Sequence, residues 1–346
     1  MFPRPRRPPV LDAARTALIP LRPLTVGEIL DGAFLIVRHN VRLMIGLPLV
    51  VAGGTAAYVL AGTGMWLLLG NTTARTAQIV ITVLMALAGL LVLQQFLVWM
   101  TAVLSRVSLQ TVLGEGFAPP ATRATWRTSW PMFWPVLGLS LLQFLAISAV
   151  QSVISIGYYA AVIAVALGSD ASSQDPTTQV VLLGSLTVIS YLLMAVAYGY
   201  LSLTVPALAT EGRRAPGWIG KPARPTTVIS AFDRSIRLVG KRNIGRVGLL
   251  YGGLLLIIGG LLLLVAGGMS AIIYLFASSI GADVATVLRS GWTIFALTTS
   301  SVLIAMSALL AYAAAVQTLL YLDLRMRREG LDLAMRFDCV PIPQPT

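Results

Sequence analysis

The amino-acid sequence predicts an all-α integral membrane protein with six transmembrane helices. Three observations predict this fold class. Of the 346 residues, 57% are hydrophobic and only 11% are charged, a composition that excludes an ordinary soluble protein of this length. The charged residues leave six long uncharged intervals, and the basic residues between those intervals gather on one side of the predicted membrane.

Each uncharged interval has at least 30 residues, whereas a helix needs about 20 apolar residues to cross the hydrocarbon layer. The intervals are 43–74, 76–105, 128–169, 176–210, 247–282 and 290–322. The third is long enough for two short spans. Tryptophan and proline at its start, including Trp130 and Trp134, indicate an interfacial beginning and favour one long tilted helix. We therefore predict six spans.

The orientation follows from the basic residues, which give the chain a formal net charge of +12. With six spans both termini lie on one side, and that side holds 23 of the 25 Lys and Arg; Arg75 and Arg289 lie on the other. Because cytoplasmic loops carry the excess of basic residues, both termini are predicted to be cytoplasmic. The richness in Arg, Ala and Pro is typical of GC-rich bacterial coding, so we predict a bacterial cytoplasmic membrane.

A Glu-Gly dipeptide recurs at 115–116, 211–212 and 329–330. Glycine often ends a helix in the left-handed conformation, so each dipeptide is predicted to close a transmembrane hairpin. The predicted repeats are 24–116, 119–212 and 225–330, between a Pro- and Arg-rich arm at 1–23 and a tail at 331–346. Since each repeat contains two spans, the three repeats are parallel, about an axis along the membrane normal.

Each repeat also begins with a segment that predicts a short amphipathic helix at the cytoplasmic membrane surface. Thr25 and Glu28 have the spacing of a capping box, and apolar residues then recur at helical spacing. The third repeat begins in the same way at Thr227, whereas the segment 121–130 of the second repeat is the weakest copy. The predicted architecture is therefore three copies of an interfacial helix followed by a hairpin.

The candidate contact residues lie on these interfacial helices and at the end of the last span. Basic residues there attract anionic lipid headgroups, by about 1 kcal/mol each, or an acidic partner surface. Acidic residues there cap helices or pair with nearby arginines. The repeated Asp31 and Asp233 are the best candidates for a shared structural contact. The full candidate set is Glu28, Asp31, Arg38, Arg42, Asp233, Arg234, Arg237, Arg325, Arg327 and Arg328.

Two patterns inside the spans favour packing between helices over the alternatives, a lipid- or ligand-contacting groove for the glycines and a transport path for the polar residues. Glycines recur in the first span of repeats one and three, and such small residues let helix backbones approach closely. They are Gly46, Gly53, Gly54, Gly62, Gly252, Gly253, Gly259, Gly260, Gly267 and Gly268. The polar residues at depth, which we expect to make interhelical hydrogen bonds, are Gln94, Gln95, Gln143, Gln151, Tyr191 and Tyr198.

Residue counts argue against catalysis. The chain has one histidine, His39, and one cysteine, Cys339, too few for a Cys/His metal site of three or four ligands or for an intrachain disulfide. The segment around Lys221 lacks the spacing of a Walker-type phosphate loop. The spans carry no ionisable Asp, Glu, Lys or Arg, where ion-coupled carriers usually place one. We expect no enzymatic activity, no cofactor and no bound metal.

Two segments resemble a family of actinobacterial multi-pass proteins. They are RPLTVGEILDGAF at 22–34 and QTLLYLDLRMRREGLDL at 317–333. The family is labelled "glycerophosphoryl diester phosphodiesterase membrane domain", after the membrane part of enzymes whose separate barrel domain carries the catalytic histidines. A chain with one histidine does not fit that barrel, so the resemblance implies a stand-alone membrane part without the activity. Relatives often lie in envelope-related gene neighbourhoods, some beside a MoxR-type ATPase.

These observations favour a non-catalytic scaffold or accessory subunit of a cell-envelope membrane complex, with a basic cytoplasmic docking face. The expected partners are anionic membrane lipids together with other membrane subunits or a MoxR-type ATPase, and no nucleic acid. An uncoupled or ATPase-partnered permease for lipid or a hydrophobic small molecule stays open as the alternative.

Overall fold

A computed structural model of the chain describes residues 19–20, 22–69, 75–113, 127, 129–168, 176–213, 225–279, 291–331 and 333. In these residues the chain is almost entirely α-helical and contains no β-strand. Within this described part of the chain, five segments are long and apolar enough to cross a membrane: Val41–Gly62, Val83–Leu113, Trp130–Ala164, Val181–Glu211 and Val228–Ile272. The prediction of an all-α membrane protein is confirmed at this level.

The helices follow one another in chain order. They are α1 (Val26–His39), α2 (Val41–Met44), α3 (Gly46–Leu69), α4 (Arg75–Leu113), α5 (Phe133–Gly168), α6 (Pro176–Ser202), α7 (Thr204–Glu211), α8 (Val228–Ser279) and α9 (Gly291–Glu329). A 3-10 turn, Trp130–Met132, precedes α5. Consecutive long helices pack in pairs, α3 with α4, α5 with α6, and α8 with α9.

Packing also joins each pair to the next. Helix α4 packs on α5, α6 packs on α8, and α9 packs back on α3. The second helix of every pair therefore contacts the first helix of the following pair, and the last pair closes on the first. Helix α9 also contacts α1 and α4, so it has neighbours on several sides.

Helix α1 begins as the sequence predicts. Thr25 is the N-cap residue, and Thr25 and Glu28 form both hydrogen bonds of a capping box. The buried face of α1 packs on α9, since a Cβ at Gly32 would lie 3.1 Å from Leu319 Cδ1. We call the end of the bundle that holds α1, α7 and the C-terminus of α9 the α1 end.

Helix α8 also begins at the predicted residue. The Thr227 N–H donates to Ser230 Oγ at 2.7 Å, and the Ser230 N–H donates to Thr227 Oγ1 at 3.3 Å. Within α8 the backbone at Gly240 has φ 47° and ψ 175°, which breaks the helical path. The kink separates a surface part, 228–239, from a long part, 241–279.

The two described Glu-Gly dipeptides end their helices differently. Gly330 has φ 62° after α9, so the left-handed glycine predicted there is confirmed. Gly212 has φ −58° and ψ 163°, and the left-handed prediction is wrong. Instead the chain extends, and the Thr226 N–H donates to the Glu211 carbonyl at 3.1 Å. Residues 115–116 and most of the predicted helix 121–130 lie outside the described residues.

The predicted packing of the glycine stripes is also wrong. At nine of the ten positions a Cβ would meet no atom of the described residues within 4 Å, and at Gly62 the nearest such atom is Met85 Cε at 3.7 Å. The close approaches are elsewhere: a Cβ at Gly89 would lie 2.6 Å from Tyr58 and one at Gly199 would lie 2.9 Å from Val247. The stripes on α3 and α8 therefore face away from the neighbouring helices.

The buried core lies at the α1 end. Trp99, Tyr251 and Tyr321 are among its largest fully buried side chains. Farther along the spans the apolar side chains are exposed, for example Val153 at 71% and Leu263 at 76%. Exposed apolar side chains at this density are typical of helices whose outer surface contacts lipid.

Candidate functional site

Glu211, the last residue of α7, has a completely buried carboxylate. Arg234 Nε lies 2.6 Å from its Oε2, and Arg325 Nη1 lies 3.2 Å from its Oε1. The Thr226 hydroxyl donates to Oε2 at 3.1 Å, and the Tyr321 hydroxyl donates to Oε1. Two cations and two hydroxyl donors therefore compensate a negative charge that has no access to solvent.

The same two arginines also hold Glu329 at the end of α9. Its Oε2 lies 3.0 Å from Arg234 Nη2 and 2.8 Å from Arg325 Nε. Two carboxylates and two guanidinium groups thus form a network with no formal net charge, which joins α7, α8 and α9. Arg325 is only 5% exposed, so removing one carboxylate would leave a buried positive charge without full compensation.

A second buried carboxylate, Asp323, fixes the segment that precedes α1. Its Oδ1 accepts a hydrogen bond of 2.7 Å from the Leu24 N–H. Arg327 Nε lies 3.1 Å and Arg246 Nη2 lies 3.4 Å from its Oδ2. The same two arginines donate to the Leu24 carbonyl, so both backbone groups of Leu24 are bound by side chains of α8 and α9.

The start of α1 carries an ion pair next to this anchor. Arg22 Nη2 lies 2.5 Å from Glu28 Oε1, and the Thr25 N–H donates to Glu28 Oε2 at 2.7 Å. The backbone hydrogen bond from Thr25 holds the pKa of Glu28 below its ordinary value, and the charge of Arg22 lowers this pKa further. Glu28 is therefore ionised as a cap near neutral pH.

The surface part of α8 is held to the end of α9 through a backbone carbonyl. Asp233 Oδ1 accepts a hydrogen bond of 2.8 Å from Arg237 Nε, an exposed pair on one helix. The carbonyl of Arg237 in turn accepts a bond of 2.9 Å from Arg328 Nη1. A Cβ at Gly240 would lie 2.3 Å from Arg328 Nη2, so the kink leaves room for this guanidinium.

The structure places the ten candidate residues in two groups. Arg234 and Arg325 pair with the buried Glu211, and Arg327, itself exposed, pairs with the buried Asp323. The other seven are at the surface or half-buried: Glu28, Asp31, Arg38, Arg42, Asp233, Arg237 and Arg328. Asp31 is exposed on α1, while Asp233 pairs within α8. Among the described contacts, the two aspartates do not share a partner.

Sequence reasoning missed the two residues on which the networks are built, Glu211 and Asp323. It did not select Asp323 among the candidate residues, and it considered Glu211 only as part of a helix-ending dipeptide. One signal was available, since Asp323 with Arg327 and Arg325 with Glu329 are pairs with i,i+4 spacing on one helix. The more distant partners of both carboxylates have no local signal.

Arg106 gives another buried polar link that the sequence did not indicate. It is 7% exposed, and its Nε donates to the Ala209 carbonyl at 3.0 Å. This bond joins α4 to α7, close to the Glu211 network. Within the described residues, no three side chains of the types His, Cys, Asp and Glu lie together in a way that could hold a metal ion.

The fold and the two buried networks place this chain in the class of helical membrane proteins. Its α1 end is fixed by two buried carboxylates, each compensated by arginines. Comparison with protein-family models, curated proteins and solved structures finds no match to this chain. The resemblance of segments 22–34 and 317–333 to the actinobacterial membrane-domain family therefore stays a prediction.

Proposed function

We propose that this protein is a non-catalytic scaffold or accessory subunit of a cell-envelope membrane complex, and that it docks partners on a basic cytoplasmic face. The observation that carries the proposal is the separation of charges at the α1 end. The carboxylates of Glu211 and Asp323 are fully buried against arginines, so they do not offset the charge of the surface. The exposed basic residues of the described part include Arg22, Arg38, Arg42, Arg213, Arg237, Lys241, Arg242 and Arg328.

The buried networks also support a fixed docking surface. They hold the segment before α1, the end of α7, both parts of α8 and the end of α9 in one arrangement. A surface carried by rigid elements loses little conformational entropy when it binds. A scaffold benefits from that property, whereas a catalytic centre would also need reactive groups open to a substrate.

The proposal includes the full predicted topology: six spans in three parallel repeats, in a bacterial cytoplasmic membrane, with both termini cytoplasmic. The closed packing order of the helix pairs supports the threefold repeat. Helix α9 supplies the sixth span, because no Asp, Glu, Lys or Arg occurs from 291 to 322. Trp130 and Trp134 are exposed near the α1 end, as tryptophans at a membrane interface commonly are.

The single cysteine of the chain allows a direct test of this topology. Cys339 lies in the tail, so a membrane-impermeant maleimide should leave the wild-type protein unlabelled in intact spheroplasts and label it in inverted vesicles. A Ser173→Cys variant in a Cys339→Ser background, with its thiol in the predicted outer loop, should show the reverse. Labelling of Cys339 from the outside would contradict six spans with cytoplasmic termini.

The proposed partners follow from the two kinds of exposed surface. The basic face suits anionic lipid headgroups and an acidic surface on a partner. The outward glycine stripes of α3 and α8 would let a helix of another membrane subunit approach closely. The family resemblance adds a MoxR-type ATPase as a candidate cytoplasmic partner.

A comparison of variants tests the docking role. We expect affinity purification of the full chain in mild detergent to recover a stoichiometric membrane or ATPase partner at low salt. An Arg38→Ser, Arg42→Ser, Arg242→Ser variant should lose most of that partner, because it removes three exposed positive charges. Arg75→Ser, on the opposite predicted side, is the control and should retain it. Absence of any stoichiometric partner, or equal recovery with both variants, would reject the proposal.

One observation favours the alternative, a permease for lipid or a hydrophobic small molecule. A cavity lies between the helix pairs, lined by residues of α4 to α9. The residues that line this cavity indicate which kind of molecule it would bind.

A further inference from the structure

A cavity of about 210 Å³ lies where the three helix pairs meet. Each pair contributes a polar residue to its lining, with Thr101 on α4, Gln143 on α5 and Gln317 on α9. The cavity lies farther along the helices than the buried ion-pair networks at the α1 end. It is therefore a separate feature of the bundle.

The two glutamines leave hydrogen-bonding capacity unused at this cavity. Gln143 and Gln317 are each 5% exposed. Within the described part of the chain, the Oε1 atom of each is buried and has no hydrogen-bond partner. A buried acceptor without a donor is unfavourable by about 1–3 kcal/mol, so a native structure rarely keeps two in one place without a reason. A molecule that brings donors would satisfy both.

The side chains that line the cavity are polar at one end and apolar at the other. Polar side chains lie at the end nearer the ion-pair networks: Thr101, Gln143, Tyr198, Ser202, Tyr251 and Gln317. Away from that end, α8 contributes Leu255 and Ile258, and α9 contributes Leu309 and Met306. These four apolar side chains are only half-buried, so the apolar end is the more open one. The cavity thus has a closed polar end and an open apolar end.

None of the described residues that line the cavity is charged. Without a neighbouring countercharge, a phosphate or ammonium group in this cavity would be strongly disfavoured. An uncharged hydroxyl group suits the polar end, since a hydroxyl donates one hydrogen bond and also accepts. It can donate to a glutamine Oε1 and accept from a Tyr or Ser hydroxyl.

We propose that the cavity binds an uncharged amphiphile whose head carries two hydroxyl groups, one donating to Gln143 Oε1 and the other to Gln317 Oε1, and whose alkyl chain lies along the apolar end. Pockets that enclose a whole drug-sized ligand have volumes of about 300–1,000 Å³. This smaller cavity encloses the head and the first part of the chain, and the rest of the chain extends into the bilayer. The site does not depend on the docking role, because a scaffold without partners would still contain it.

A matched pair of probes tests the head-group chemistry. The full chain in mild detergent is incubated with a long-chain alcohol that carries two hydroxyl groups, a 1,2-diol, and a diazirine in its chain; the sample is then irradiated, and the labelled peptides are identified by mass spectrometry. We expect saturable labelling of α8 and α9 around Ile258 and Met306. The alkyl phosphate of the same chain length should neither label these peptides saturably nor compete. Equal labelling by the phosphate, or no saturable labelling by the alcohol, would overturn the proposal.

Variants of the glutamines test their role separately. Gln143→Leu and Gln317→Leu should each lower saturable labelling by about fivefold, the effect of one lost hydrogen bond. Gln151→Leu is the matched control, because Gln151 lies on α5, is exposed and bonds to Ser155 on its own helix; its labelling should equal that of the wild type. The unfolding temperature of each variant is measured as well, so that labelling is compared only between folded proteins. Unchanged labelling in both folded variants would reject the assigned position of the head group. The labelled peptides of the wild-type protein show separately, without any variant, whether the probe binds at the cavity.

Discussion

Replacing Glu211 by glutamine is expected to lower the free energy of unfolding by about 3–5 kcal/mol. The carboxylate is fully buried and compensates Arg234 and Arg325. The amide keeps the size of the side chain but removes the negative charge, so Arg325, which is only 5% exposed, loses one of its carboxylate partners and keeps its pair with Glu329. The amide also cannot accept all the bonds that the carboxylate accepts from Thr226 and Tyr321.

The measurement is a titration of the purified protein from mild detergent into SDS, followed by loss of helical circular dichroism. Asp233→Asn is the matched control, because it removes a carboxylate from an exposed i,i+4 pair with Arg237. Such pairs contribute about 0.3–0.5 kcal/mol. If Glu211→Gln has an effect as small as Asp233→Asn, the buried network does not hold the α1 end together.

A double variant separates loss of the network from loss of the side chain itself. Arg325→Met removes the cation that Glu211→Gln leaves undercompensated. Because replacing a buried ion pair by apolar groups is often neutral, the double variant should be less destabilised than the sum of the two single variants. Strict additivity would show that the two residues do not interact energetically.

Replacing Gly240 by alanine is expected to destabilise the protein by about 1–3 kcal/mol through backbone strain alone. The residue has φ 47° with an extended ψ, a conformation that residues with a Cβ rarely adopt. The new Cβ would lie 2.3 Å from Arg328 Nη2. The guanidinium must therefore shift, which weakens its hydrogen bond from Nη1 to the Arg237 carbonyl, an effect of at most about 1 kcal/mol.

Gly245→Ala on the same helix is the control. Gly245 is helical and exposed, and a Cβ there would meet no atom within 4 Å. Alanine is a better helix former than glycine by about 0.8–1.0 kcal/mol, so this variant should be slightly more stable than the wild type. In the same SDS titration, the free energy of unfolding is expected to fall for Gly240→Ala and to rise slightly for Gly245→Ala. A neutral Gly240→Ala would show that the kink at 240 is not required.

Local features of the sequence predicted the helices and their starts. The capping box at Thr25 and the start of α8 after Thr227 depend on residues three positions apart, so their chemistry is visible in a short window. Membrane-compatible helices are also predictable, because the hydrophobicity of about 20 consecutive residues decides whether a segment can cross a bilayer.

The buried networks were not predictable in this way. Asp323 binds Leu24 across a separation of 299 positions, and Tyr321 reaches Glu211 across 110 positions. No local pattern distinguishes a carboxylate with these partners from one on a solvated surface. The sequence therefore selected the exposed Asp31 and Asp233 as a shared contact and overlooked Glu211 and Asp323.

The glycines and glutamines show the same limit. A stripe of glycines shows that one face of a helix carries small residues, but it does not show whether a neighbouring helix packs on that face. In this structure, neighbouring helices pack closely on Gly89 and Gly199 instead. Among the glutamines predicted to bond between helices, Gln95 does so with Ser140, whereas Gln143 leaves its Oε1 at a cavity.

By itself, the sequence determined that this chain forms apolar membrane-compatible helices, where α1 and α8 begin, and that most of its charged residues are basic. Only the tertiary structure decided which charges are buried, which glycines are covered and which polar groups meet at a cavity. The physical reason is the range of the interactions. Transfer into a membrane and helix capping depend on neighbours along the chain, while burial and ion pairing depend on segments that only packing brings together.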